Sequence, residues 1–193
     1  MTTKILCFAG SLRRDSLNKK LVKIGMKAAE SAGAEVTYLD LKDLPLPVYD
    51  GDIEAESGLP ENAKKLKEIM LAHHGLLIAA PEYNSSISGA LKNAIDWASR
   101  PGEGEPPLSL ACFAGKVAAL LAASPGGYGG LRGLTHVRSI LGNIKVIVIP
   151  EQYVLAQAHQ AFNEDGSLKD SKVDQAVQGV AKRLVEVTSR LHA

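Results

Sequence analysis

Four short and almost unbroken apolar runs, at residues 4–9, 75–80, 116–123 and 145–149, constrain this chain more than any other feature. Each is far too short to cross a membrane, and none alternates polar with apolar as a half-exposed strand would. Such runs are the mark of strands in a parallel sheet whose two faces are both covered. A shorter strand pattern, Glu35-Val36-Thr37-Tyr38-Leu39, makes a fifth. Between and after them, apolar residues recur at helical spacing over residues 17–32, 61–72, 88–99, 131–141 and 169–191. Five alternations of strand and helix predict an α/β fold, a doubly wound sheet of five parallel strands with helices on both faces. No repeat or linker divides the chain, so residues 1–193 read as one domain.

The class follows from few numbers. Apolar residues make up 46% and charged ones 22% of 193 residues, enough for a sizeable core and too apolar for disorder. A net charge of +1 provides no field to attract nucleic acid or an anionic membrane, and neither is expected as a partner. The two cysteines form neither a disulfide framework nor a metal-ligand pattern, and Cys7 reads as a small buried hydrophobe. The opening residues run directly into the first strand without a signal-peptide pattern, so a cytoplasmic location is expected. Residues 40–60 read as a long ordered loop, with the prolines of Leu44-Pro45-Leu46-Pro47-Val48-Tyr49-Asp50-Gly51 excluding a helix there.

In a doubly wound sheet, ligands bind beyond the carboxyl ends of the strands. Three polar or glycine-rich segments follow strand ends here. The first, Gly10-Ser11-Leu12-Arg13-Arg14-Asp15-Ser16-Leu17-Asn18, joins a strand to a helix start. Free backbone N–H groups and the helix dipole favour an anion there, by about 0.3–1 kcal/mol exposed and up to ~2 partly buried. Ser11, Ser16 and Asn18 add side-chain donors and Arg13 adds charge. The loop lacks the Gly-Lys-Ser/Thr ending of a P-loop, the three-glycine dinucleotide fingerprint, and any Cys followed by Arg. Static capture of a terminal phosphate remains, against the plainer reading of a capped helix with solvated arginines.

The second segment, Pro81-Glu82-Tyr83-Asn84-Ser85-Ser86, has no His, Cys or second acid to make Glu82 a general base. Its groups suit the edge and face of a planar ring; the competing reading is a polar turn before a capped helix. The third, Ser124-Pro125-Gly126-Gly127-Tyr128-Gly129-Gly130, is glycine-dense, as close backbone approach to a ligand requires. Tyr128 would stack on or gate such a ligand, unless the segment is simply a flexible turn.

Gly-Ser-Leu-Arg-x-x-Ser-x-Asn-x-x-Leu from Gly10 resembles the phosphate loop of the NAD(P)H-dependent FMN reductase family. Pro-Glu-Tyr-Asn-x-Ser-x-x-Gly-x-Leu-Lys-Asn-Ala-Ile-Asp-Trp from Pro81 resembles its flavin-ring motif, and the likeness covers residues 4–155. The resemblance implies a flavodoxin-like fold with FMN as cofactor and NADPH or NADH as electron donor. It implies FMN phosphate on Ser11, Arg13, Ser16 and Asn18, and the isoalloxazine lined by Pro81, Glu82, Tyr83 and Asn84, with Ser86 as a lesser contributor. Ser124 and Gly127 would border the ring. It further implies hydride transfer through flavin N5 to quinone-like, azo, chromate or free-flavin acceptors. No residue need be a catalytic acid, base or nucleophile, and no metal is called for. The family forms homodimers or homotetramers, with Arg132, Arg138 and Glu151 available for subunit contacts. A flavodoxin-like electron carrier that does not itself oxidise NAD(P)H is the alternative. Residues 101–109 and the Pro125 to Tyr128 run depart from the family pattern. Elsewhere, His73-His74 reads as a solvated pair at a helix end, and Trp97 as core or interface in preference to a stacking platform.

Overall fold

A computed structural model describes residues 2–193. It contains β1 (Lys4–Ala9), α1 (Leu17–Ser31), β2 (Glu35–Asp40), α2 (Gly51–Ser57), α3 (Glu61–Leu71) and β3 (Gly75–Ala79). A small hairpin follows, β4 (Glu82–Tyr83) with β5 (Ser86–Ile87), then α4 (Gly89–Ala98), β6 (Val117–Ala123), α5 (Leu131–Asn143), β7 (Ile147–Leu155) and α6 (Ser171–Leu191). The five long strands are parallel in the order β2-β1-β3-β6-β7, the flavodoxin-like doubly wound sheet.

Strand periodicity explains why the apolar runs are unbroken. Ile5, Cys7 and Ala9 of β1 point into the layer made with α1 and α6, where Leu21, Val22, Val177, Ala181 and Leu184 are buried. Leu6 and Phe8 point to the opposite layer, against Leu66 and Met70 of α3, Leu91 of α4, and Leu134 and Val137 of α5. With a core on each side, both parities of each central strand must be apolar. Cys7 is fully buried, and burial, with Glu30 adding to it, pushes its thiol well above the ordinary range. Trp97 is buried too; its Nε1–H donates to the Pro47 carbonyl at 2.8 Å, and its ring meets the Tyr49 ring edge-on at 5.0 Å. Those contacts pin the proline-rich segment across α4. No helix among the described residues is long and apolar enough to cross a membrane.

Outside the three loops, the structure departs from the sequence reading in three places. Residues 40–60 are not all loop: a 3-10 turn covers Leu41–Asp43, and α2 forms once the prolines are passed, capped by Asp50, whose side chain accepts from the Asp52 N–H at 2.9 Å. The last strand does not end at Ile149. It runs on to Leu155 through an irregularity in which Ala118 faces Val148 and Leu120 faces Gln152. Pro150 lies in that bulge of an edge strand, where a missing N–H is tolerated. Arg138 reaches from α5 to the freed carbonyls of Val148 and Ile149 at 3.2 and 2.9 Å.

Third, the two histidines after α3 are not a solvated pair. The turn lies against the first residues of β1 and β2. His73 is buried, bonding the Ile69 carbonyl at 2.6 Å and the Thr37 hydroxyl at 2.8 Å. His74 accepts the Lys4 N–H through Nδ1 at 3.1 Å and stacks on His192 from the end of α6, centroids 5.0 Å apart. An imidazolium has no lone pair for that bond. Burial, followed by His192, Lys116, Lys4 and His73, holds the His74 pKa below its ordinary value. The unfolded chain therefore takes up the proton at about pH 6.5 while the native chain still resists it. Native stability is complete above that pH and falls as the pH drops toward the lowered native value. Thermal melts across this window should show the midpoint falling in the wild type. His74→Asn, whose Oδ1 replaces the Nδ1 acceptor and does not titrate, should give a shallower fall.

Candidate functional site

The strand order reverses between β1 and β3, and the first two loops leave the sheet at that point. Gly10 is the hinge of the arrangement. Its N–H donates to the Ala79 carbonyl at 2.9 Å, its own carbonyl accepts the Ser88 hydroxyl, and a Cβ there would lie 2.8 Å from the Leu91 Cβ. Only glycine allows α4 to approach this closely.

Beyond Gly10 the chain crosses to α1 with few bonds of its own. Ser11 is buried and its Oγ accepts the Arg13 N–H at 3.3 Å; Ser16 caps α1 by accepting the Lys19 N–H at 3.4 Å. Among the described residues, the N–H groups of Leu12, Arg14, Asp15, Leu17 and Asn18 find no acceptor. An acidic residue in the first turn would be favoured by the helix dipole, but the first turn of α1 has none. Arg13 is exposed and makes no ion pair among the described residues, whereas Arg14 only meets Asp15 at 3.5 Å in solvent. Lys19 is buried beneath and committed to Asp40 at 2.6 Å. Burial opposes the charge on Asp40, but the Lys19 bond and the Lys42 N–H outweigh it and hold the carboxyl below its usual range.

Asn18 is placed differently from a simple ligand. Its side chain is buried, with Nδ2 donating to the Ala123 carbonyl and Oδ1 accepting the Ala123 N–H, both at 2.9 Å. The side-chain amide thus ties the start of α1 to the end of β6, and its contribution to the loop mouth is the backbone N–H.

The second segment is a hairpin, which the sequence reading missed. Glu82 pairs with Ile87 and Tyr83 with Ser86, and the two residues between, Asn84 and Ser85, have φ of 50° and 65°. Two left-handed residues in a two-residue loop make the hairpin turn that suits strand twist, and Asn tolerates this conformation well. Pro81 is buried, while Tyr83 and Asn84 are exposed at the rim. Glu82 turns inward, its side chain only 7% exposed. Its Oε1 accepts from Arg132 Nε at 2.7 Å and its Oε2 from the Gly133 N–H at 3.2 Å. Burial works against its charge, yet Arg132 and the Gly133 N–H prevail and keep the carboxyl below the usual carboxylate range. Glu82 therefore caps α5, which has no side-chain cap at Gly130. It is not a free base.

The third segment leaves β6 at Ala123. Ser124 Oγ accepts the Gly126 N–H at 3.2 Å, and Gly126 and Gly127 are exposed. Gly130 begins α5 at φ 96°, where a Cβ would stand 2.7 Å from the Ala122 Cβ. The bonds of Gly10, Asn18 and Glu82 link all three loops. An apolar cavity of about 270 Å³ lined by Leu12, Leu46 and Ala90 borders the first of them. Larger clefts, of about 480 Å³ between α1 and α6 and about 650 Å³ beside α3, are lined by residues of none of the three loops.

A family model described as NADPH-dependent FMN reductase matches residues 3–160. The chain belongs to that family. It is 34% identical over 193 residues to a probable NADPH:quinone oxidoreductase 2 of Oryza sativa subsp. japonica, covering 97% of this chain and 90% of that protein. It is 36% identical over 176 residues to an NAD(P)H-dependent FMN reductase of Pseudomonas aeruginosa, covering 91% and 89%. Among solved structures, FerB of Paracoccus denitrificans, a flavoenzyme NAD(P)H:(acceptor) oxidoreductase, superposes with a TM-score of 0.81 at 33% identity over 98% of both chains.

In this family member, the residues set aside for subunit contacts have partners within the chain. Arg132 holds Glu82, Arg138 holds the β7 bulge and Gln152 at 2.8 Å, and Glu151 meets Arg183 at 3.3 Å. The sequence analysis reads Arg132 as a residue for subunit contacts and does not single out Gly133; the structure brings both to Glu82 of the candidate site, and neither stands in a recognisable local pattern. Residues 101–105 are drawn onto α3 by Lys67, which donates to the Arg100 carbonyl at 2.7 Å and to Glu105 at 3.1 Å. Asn18→Ala would leave both backbone groups of Ala123 buried without partners. It should cost about 1–3 kcal/mol of stability, read as a lower denaturation midpoint in urea.

Proposed function

We propose that this chain binds FMN across the three loops and uses it to pass electrons from NADPH or NADH to a quinone-like acceptor. One observation carries the reading: a strand-to-helix loop with several N–H groups lacking acceptors, and no acid in the helix's first turn, is tied through Gly10 to Ala79 and Ser88, the residues that flank a rim loop of flat and polar groups. Those donors suit a phosphate monoester, which brings about −1.5 to −2 charges and three acceptor oxygens. Ser11, Ser16 and Arg13 add hydroxyls and a guanidinium to the N–H groups, that of Asn18 included. Pro81, Tyr83 and Asn84 would line the ring, with Ser124 and Gly127 offering backbone at its edge. Glu82 serves by holding the rim loop on α5.

When bound, FMN supplies the two-electron chemistry, with N5 as the hydride acceptor. The overall change balances as NAD(P)H, a proton and a quinone going to NAD(P)+ and a hydroquinone. The chain's part is to fix the ring and to place donors where negative charge accumulates on reduction. No acid, base or nucleophile is assigned, because Glu82 is bound to Arg132 and both cysteines are buried. The names of the rice and Pseudomonas relatives support quinone and flavin acceptors; azo compounds and chromate are further acceptors to assay. Assembly as a homodimer or homotetramer in the cytoplasm completes the reading. Exposed Leu12, Tyr83 and Leu131, all on or beside the three loops, favour a second copy near the site.

The purified protein, supplied with FMN, should show a flavin spectrum that bleaches anaerobically on addition of NAD(P)H. An electron carrier would keep its colour; a chain that takes up no FMN refutes the proposal. Arg13→Ala removes a charge-assisted contact of about 1.5–3 kcal/mol, so FMN affinity measured by fluorescence titration should weaken roughly ten- to a hundredfold.

A further inference from the structure

Tyr128 is an exposed aromatic ring covered on one face by the Arg132 side chain of α5. It stands between Gly126-Gly127 and Gly129-Gly130, in a turn held by its own backbone: the Tyr128 carbonyl accepts the Leu131 N–H at 3.0 Å and the Gly126 carbonyl accepts the Gln157 N–H at 3.2 Å. Its side chain is not core, since the residue is 68% exposed. Yet the guanidinium of Arg132 lies over the ring, 4.9 Å from its centroid. That guanidinium is itself fixed, with Nε and Nη2 both on Glu82 Oε1. Glu82 in turn belongs to β4, whose next residue is the exposed Tyr83 of the rim loop. A chain of contacts thus runs from the second loop through Glu82 and Arg132 to an aromatic ring on the third.

We propose that Tyr128 is a stacking platform for planar aromatic acceptors at the mouth of the site, and that Arg132 is the residue that positions it. The inference rests on the FMN reading above and assigns the acceptor specificity of that same site. A cation covering one face of a ring holds it in place and leaves the other face for a ligand. Offset stacking against a quinone of naphthoquinone size adds to affinity in a way that an acceptor without a flat face does not feel. Stacking needs the π face and not the phenol hydroxyl, so a phenylalanine ring would serve as well. Tyr128 thus favours flat acceptors over compact ones and acts on binding, not on the electron-transfer step.

The test uses the FMN-loaded protein with NADPH as donor, 1,4-naphthoquinone as the flat acceptor and ferricyanide as the compact one. Tyr128→Leu keeps the bulk and loses the π face. It should raise KM for the naphthoquinone about three- to tenfold, with kcat within about twofold of wild type and KM for ferricyanide unchanged. Tyr128→Phe should match wild type. Arg132→Gln should shift the naphthoquinone KM in the same direction as Tyr128→Leu, and Arg132→Lys, which retains the cation and the pair with Glu82, should restore most of the effect. An unchanged naphthoquinone KM in Tyr128→Leu overturns the proposal. So does a parallel rise for both acceptors, which marks a structural role, or a changed native mass in light scattering, which places Tyr128 between copies. A wild-type chain that takes up no FMN refutes the flavin reading and this one together, whereas an active wild type with an indifferent Tyr128→Leu refutes only this one.

Discussion

Burial on both faces of the sheet is the constraint from which the rest follows. Because β1, β3 and β6 present apolar side chains to a layer of helices on either side, their middles have no room for polar chemistry. Chemistry is pushed to the strand ends. The reversal of strand order between β1 and β3 opens a gap there, and helix starts deliver unbonded N–H groups into it. The candidate site is thus a product of the packing beneath it.

What joins the loops is a small set of long-range polar contacts. Gly10 is bonded to Ala79 and Ser88, Asn18 to Ala123, and Glu82 to Arg132 and Gly133. Each replaces solvent around a buried polar group, so breaking one leaves its partner unsatisfied. The loops are therefore held at fixed separations without a large apolar contact between them. Such a scaffold favours a cofactor that must be kept still while different partners visit it in turn.

The parts of this plan visible in the sequence are the local ones. The apolar runs, the capped helix starts at Ser16 and Ser88, and the glycine-rich third loop lie within a few residues of the features they create. Glu82 and Arg132 are 50 residues apart, and Asn18 and Ala123 are 105 apart. Nothing in either neighbourhood announces its partner, which is why the side-chain bonds of Glu82 and Asn18 become visible only in the fold. The hairpin has no clear local signal because its turn uses Asn84 and Ser85 in place of the glycine that usually marks such a turn. The sequence pattern of the last strand stops at Ile149 because a proline is compatible with a strand only at a bulge, an edge or its first residue.

That bulge has a bearing on solubility. An edge strand presents unpaired carbonyls and N–H groups on which the strand of another molecule can add, and β7, at nine residues, is long enough to invite it. Pro150 removes one donor from the row and the irregularity bends it. Arg138 caps the carbonyls of Val148 and Ile149 with a charged group that an incoming strand would have to displace. The contact that stabilises the end of the sheet also makes it a poor template for aggregation.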